Sequence, residues 1–230
     1  MNTNLSSLST TYGADVVQQR NRVLRNTYWL LALSMVPTVL GAWLGLATGL
    51  NSMMSGMVGL GVFLAGSFGF MFAIEKTKHS SAGVAVLLAF TFFMGVMLSR
   101  LVGMVLGLAN GTGLIMTAFA GTGVVFLAMA SLSSVIKRDL SNMGKFLFIG
   151  MIMMLVAGIA NIFIQSSALM ITLSVLSIGI FSAFILHDLK RVQDGEETNY
   201  ISATLGVYLS LYNVFQSLLS LLGIFGGRDE

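Results

Sequence analysis

The 230-residue sequence contains no cysteine, one proline, two histidines and only 9% charged residues. Without cysteine the chain forms no disulfide and offers no thiolate to a metal, and two histidines are too few for a multi-histidine metal site. Hydrophobic residues make up 56% of the chain. The remaining polar side chains cannot cover the surface of a water-soluble globule, so the composition predicts a protein that has lipid as its solvent.

Seven apolar runs reach the length of about 20 residues that a helix needs to cross a bilayer. They lack the strict apolar/polar alternation of an outer-membrane barrel. The sequence therefore predicts an all-α integral membrane protein, a single seven-helix bundle over residues 28–225 with a tail before it (1–27) and a short tail after it (226–230). The predicted spans are 28–50, 53–74, 82–108, 114–136, 146–165, 168–187 and 201–225.

The basic residues are distributed unevenly between the two sides of this predicted bundle. Ten of the twelve lie in alternate gaps between the runs, whereas only Arg100 and Arg228 fall on the other side. Because short basic loops are retained in the cytoplasm, we expect a cytoplasmic N-terminus and a periplasmic C-terminus, and no nucleic-acid partner is needed to explain the net charge of +3. The ten are Arg20, Arg22, Arg25, Lys76, Lys78, Lys137, Arg138, Lys145, Lys190 and Arg191.

Small residues recur at intervals of four, as in Gly41, Gly45 and Gly49. Such stripes let helices approach closely in lipid, either within one bundle or between copies of the chain, so the sequence leaves the oligomeric state open. The sixteen methionines are scattered, and flexible packing explains them better than copper binding does.

A few ionisable residues lie at the predicted span ends. Arg100 either extends its side chain to the membrane surface or faces the bundle interior. His187 and Asp188 mark the cytoplasmic end of span six. Asp188 belongs either to a solvated helix end or to an inward-facing site, where its protonation would change a hydrogen bond to span seven. The spans supply no obvious pair of carboxylates and no convincing nucleophile beside a histidine, so we expect no enzyme activity.

Span seven is unusually polar for a membrane helix. Ser210, Asn213 and Ser217 follow a three-then-four spacing, which places them on one helix face. We expect this face to look into the bundle rather than toward lipid. It either packs its polar groups inertly or lines a hydrated path.

Three segments resemble the Bax-inhibitor family of membrane proteins, and within it the bacterial YccA-like members. They are RVLRNTYWLLALS (22–34), AGIANIFIQSSAL (157–169) and GEETNYISATLGVYLSLYNVFQSLLSLLG (195–223), in family order. The resemblance implies a seven-helix bundle with a central C-terminal helix in a bacterial inner membrane. It also implies a partner, because YccA-like members associate with the membrane-bound AAA protease FtsH and modulate it. Residues 1–19 look polar and unstructured, as expected of a handle for such a protease.

The resemblance implies an alternative function as well. Other members are described as pH-sensitive calcium leaks, in which two aspartates on helices six and seven form a protonation-dependent latch. Asp188 matches the first aspartate, but Ser210 stands at the second position. Without the second carboxylate the repulsion that would open a gate is lost, and calcium, which prefers several oxygen ligands, would be held poorly. We therefore favour protease modulation and expect no cofactor or bound metal. Under the alternative, calcium would be the transported ion, and the candidate gate residues are Asp188, Ser210, Asn213 and His187.

Overall fold

The computed structural model describes residues 3–50 and 56–227, with side chains from residue 17 onward except that of Ser141. This part of the chain forms seven long helices and contains no strand. All seven are long and apolar enough to cross a membrane, which confirms the predicted fold class. The helices are α1 (Thr3–Ala47), α2 (Gly56–Thr77), α3 (Ala82–Leu106), α4 (Gly111–Val135), α5 (Ser141–Ile164), α6 (Ser167–Asp194) and α7 (Tyr200–Gly226).

Local signals in the sequence end and begin several of these helices. Gly195 stops α6 with a φ of 82°, a left-handed conformation that glycine adopts without steric cost. Asn199 begins α7, because its side-chain oxygen accepts hydrogen bonds from the backbone N–H groups of Ile201 and Ser202. Ser166 caps α6 in the same way through the N–H of Leu169.

The last helix lies at the centre of the bundle. Half of the most apolar window of α7 is buried, and the helix packs against α1, α3, α4 and α6. Tyr208, Val207 and Val214 of α7 are fully enclosed in the main hydrophobic core. The predicted central C-terminal helix is therefore confirmed. Helix α5, only 6% buried in the corresponding window, lies at the periphery against α6.

The most extensive helix pair, α1 with α3, is built on small residues. A Cβ atom at Gly41 would lie 2.1 Å from the carbonyl oxygen of Phe92, and one at Gly95 would lie 2.0 Å from that of Thr38. Gly45 meets the side chain of Ser99 in the same seam. Gly41 and Gly45, two members of the stripe from the sequence, thus pack within the chain, whereas Gly49 has a φ of 70° in the turn that follows α1.

The N-terminal tail differs from expectation. We expected residues 1–19 to be unstructured, and for residues 3–19 this is wrong, since α1 begins at Thr3 and continues through Pro37 to Ala47. Polarity marks a segment that leaves the lipid, but without a proline before residue 37 nothing in the segment breaks the helix. Of the other tail, Arg228 and the two residues after it lie outside the described residues. The compartment of either tail stays a prediction.

Candidate functional site

Asp188 lies inside α6, more than a turn before the helix ends at Asp194. The predicted span stopped at residue 187 because the charged residues that follow are not apolar, yet the helix continues through them. The Asp188 side chain is only 18% exposed and points at α7, where a Cβ atom at Gly206 would lie 2.8 Å from its Oδ2. The carboxylate therefore lies against the central helix at Gly206, where an added Cβ atom would displace it.

His187 extends from the same turn toward α5. Its Nδ1 lies 3.4 Å from Asp188 Oδ1, while its Nε2 would be 2.7 Å from a Cβ atom at Gly144. The ring is thus enclosed between α5 and α6 and is 8% exposed. The pair places one carboxylate and one imidazole side by side at the junction of three helices.

Ser210 and Asn213 bond to their own helix rather than to Asp188. Ser210 Oγ donates to the carbonyl oxygen of Gly206 at 3.0 Å, and Asn213 Nδ2 donates to that of Leu209 at 2.8 Å. Ser210 is 3% exposed, so this serine lies inside the bundle, as the polar face of span seven led us to expect. At the position where the resemblance implies a second aspartate, this chain has Ser210, whose hydroxyl is already hydrogen-bonded to its own helix backbone.

Other polar side chains of α7 do form hydrogen bonds to neighbouring helices. Ser217 Oγ donates to Ser177 Oγ of α6 at 2.8 Å, both side chains being buried. The hydroxyl of Tyr208 lies 2.9 Å from Thr38 Oγ1 of α1 and 3.4 Å from the Thr91 carbonyl oxygen of α3. These polar side chains of α7 therefore stabilise its position in the bundle. The partners of Tyr208 lie more than a hundred residues away in the sequence and carry no local signal.

Side chains near the basic ends of the helices tie the loops together, and sequence reasoning missed them. Asn199 Nδ2 donates to the Lys78 carbonyl oxygen at 2.8 Å, which links the α6–α7 loop to the α2–α3 loop. Gln193 Nε2 donates to Ser133 Oγ at 2.8 Å and links α6 to α4. The helix-start rule could have found the capping role of Asn199, since it directly precedes an apolar helical run.

Arg100 lies at the other end of the bundle, where it lines an open groove of about 450 Å³. Its side chain is exposed, so it does not face the bundle interior. The opposite wall comes from the junction of α5 and α6, and we call this cavity the Arg100 groove. Polar side chains dominate that wall, namely Asn161, Gln165, Ser166 and Ser167.

Metal-binding side chains are sparse in the described part of the chain. Over residues 17–50 and 56–227, no group of three or more His, Cys, Asp or Glu side chains is arranged to hold a metal ion. Asp188 and His187 form a close pair on α6. This arrangement suits a polar contact between helices.

Residues 20–227 match the family described as inhibitor of apoptosis-promoting Bax1 (Bax1-I). A membrane protein of Vibrio cholerae is 38% identical over 211 residues, which cover 92% of this chain and 93% of that protein. The Escherichia coli protein named modulator of FtsH protease YccA is 36% identical over 209 residues, covering 91% of this chain and 92% of the relative. Its counterpart from a second Escherichia coli strain, named inner membrane protein YccA, matches to the same extent. A family match that covers nearly all seven helices confirms the resemblance, and the chain belongs to the Bax-inhibitor family.

Proposed function

We propose that the chain is a non-enzymatic inner-membrane protein that binds and modulates the FtsH protease. The observation that supports this most is the 36% identity, over 91% of the chain, to a relative named for that modulation. That match covers 91% of this chain and 92% of the relative, so the likeness extends over most of the bundle. In this proposal the N-terminus is cytoplasmic, as the basic loops predict.

The shape of α1 suggests how a protease in the membrane could be engaged. The helix is 45 residues long, or about 67 Å at 1.5 Å per residue, and a hydrocarbon layer is only about 30 Å thick. Val23 fixes it to α6 and α7 through contacts with Val192 and Ala203. Beyond that point Val17, Gln18 and Gln19 are exposed. α1 therefore continues before Arg20 as a helical arm, which replaces the unstructured handle expected from the sequence.

Co-purification tests both parts of the proposal. Tagged full-length protein, extracted from native membranes after crosslinking, should recover FtsH. A variant that lacks residues 1–19 should recover less, while one that lacks residues 228–230, at the other end of the bundle, should match the full-length chain. Failure of the full-length protein to recover any FtsH would refute the proposal. Full recovery by the variant without residues 1–19 would instead assign binding to the bundle.

The alternative function, a pH-sensitive cation leak, gains no specific support. Asp188 meets a glycine on α7, and the serine one turn later bonds to its own backbone. A two-carboxylate latch has no second acid here. We therefore do not propose it, and purified protein in liposomes that passed calcium in an Asp188-dependent manner would reverse this choice.

A further inference from the structure

We infer that the Arg100 groove binds the phosphate group of an anionic phospholipid in the adjacent leaflet. The inference is independent of the proposed interaction with FtsH. It depends on the charge, the depth and the apolar surroundings of the groove.

Among the described residues, the groove is lined by one cation, Arg100, and by no carboxylate. In the described residues from 17 to 227, the four ion pairs all lie elsewhere, and none includes Arg100. Within positions 16 to 227 the sequence agrees with this, because every acidic residue there belongs to the basic half of the bundle, while Asp229 and Glu230 lie outside the described residues. The acidic residues within positions 16 to 227 are Glu75, Asp139, Asp188, Asp194, Glu196 and Glu197. An arginine in this setting, where lipid replaces water, favours an external anion.

The depth of Arg100 matches the membrane surface. Its Cα lies six residues before the end of α3 at Leu106, or about 9 Å along the axis. A guanidinium on a long side chain can extend over part of this distance toward the lipid head groups. The facing wall begins where α5 ends at Ile164 and α6 starts at Ser167. The groove thus lies at the level where phospholipid phosphates are found.

The surroundings select a lipid rather than a free anion. Next to the polar wall, Phe163 and Ile164 are 70% and 62% exposed, and Met170 is 41% exposed. These side chains present an apolar surface on which acyl chains can lie. On the polar side, Gln165 and Ser167 offer hydrogen-bonding groups to a hydroxylated head group. Phosphatidylglycerol, with one negative charge, two free hydroxyls and two acyl chains, fits both the polar wall and the apolar surface beside it.

Arginine suits this role because its planar fork binds two phosphate oxygens at once. The N-terminus of α6 and the C-terminus of α5 lie in the same wall, and because their partial charges are opposite, the guanidinium is the group that attracts the phosphate. Removal of the Arg100 charge should therefore abolish the preference for an anionic lipid. Lysine at this position should preserve part of it.

The test is a lipid titration of the purified full-length protein in detergent, followed by native mass spectrometry. Phosphatidylglycerol should bind about tenfold more tightly than phosphatidylcholine with the same acyl chains. Arg100→Gln should remove this difference and Arg100→Lys should keep a fraction of it. Arg138→Gln, which removes an exposed arginine at the opposite end of the bundle, should bind like the unmodified protein.

Three results would overturn the inference. Equal binding of the two lipids by the unmodified protein would indicate non-specific lipid contact. An equal loss in the Arg138→Gln variant would show that overall charge, not the groove, attracts the lipid. Displacement of phosphatidylglycerol by millimolar inorganic phosphate would identify a free-anion site. If Arg100→Gln does not fold, the Arg100→Lys titration decides, because unchanged lipid preference and affinity would exclude recognition by the guanidinium fork.

Discussion

The contact between α1 and α3 predicts that Gly95→Ala severely destabilises the protein. The added Cβ would lie 2.0 Å from the Thr38 carbonyl oxygen, 2.8 Å from the carbonyl carbon and 3.0 Å from the Ala42 nitrogen. The first distance is about 1.5 Å short of the roughly 3.5 Å of an ordinary non-bonded contact. All three atoms belong to helix backbone, so the only relief is a separation of the two helices along their most extensive interface.

The matched control is Gly158→Ala on α5, where no atom lies within 4 Å of the new Cβ. There alanine should be neutral or stabilise the helix by about 0.5–1 kcal/mol. At Gly95 the same propensity gain is opposed by overpacking, which costs about 1–3 kcal/mol and more when backbone must move. Because the propensity gain is common to both, the two variants should differ by the overpacking cost, about 1–3 kcal/mol or more.

Thermal unfolding of both variants in the same detergent, followed by intrinsic tryptophan fluorescence and by recovery of monodisperse protein, measures this difference. Gly95→Ala should unfold well below the unmodified chain, whereas Gly158→Ala should unfold at or above it. Equal melting temperatures for the two variants would refute the close approach of α1 and α3.

Three further substitutions probe other contacts. Asn199→Ala should cost about 1–2 kcal/mol in a thermal melt, because it removes both the cap of α7 and the bond to the Lys78 carbonyl oxygen. Gln165→Gly should leave the melting temperature unchanged or raise it, since Gln165 has a φ of 54°, and a clear loss would show that its side chain contributes to folding. Gly206→Ala should lower the melting temperature, because the new methyl group displaces the Asp188 carboxylate. Adding Asp188→Ala to the same chain should restore part of the loss. Additive effects of the two changes would contradict the contact.

Hydropathy predicted the number and approximate position of the helices because the hydrocarbon layer imposes a minimum apolar length. It was less accurate where a helix leaves the lipid. The apolar run of span six stops at residue 187, whereas α6 continues to Asp194, its last turn supported by a hydrogen bond from Lys190 to Asp194. The end of the helix is set by Gly195, and this signal is conformational rather than hydrophobic.

The candidate site was only partly visible in the sequence. A lone acid near the end of a membrane span marks Asp188 for attention. The direction of the Asp188 side chain depends on Gly206, which is eighteen positions away, and nothing in the sequence distinguishes this glycine from the others in the helices. Arg100 was likewise recognised as unusual, but the polar wall opposite it starts at Asn161, on a helix for which no sequence period indicates proximity. Which helices become neighbours depends on how their surfaces pack in the complete bundle, and the local sequence of one helix does not contain this information.

The placement of α7 at the centre has a consequence for biosynthesis. Translation delivers the N-terminal helices first, so α1 and α3 can join along their glycine seam while the ribosome is still making the rest. The hydroxyl of Thr38 and the carbonyl oxygen of Thr91 meet Tyr208 only after the final helix has inserted. A nascent chain that ends before residue 200 therefore has an unfilled centre, and truncated copies present to cellular surveillance a cleft that the finished molecule does not have.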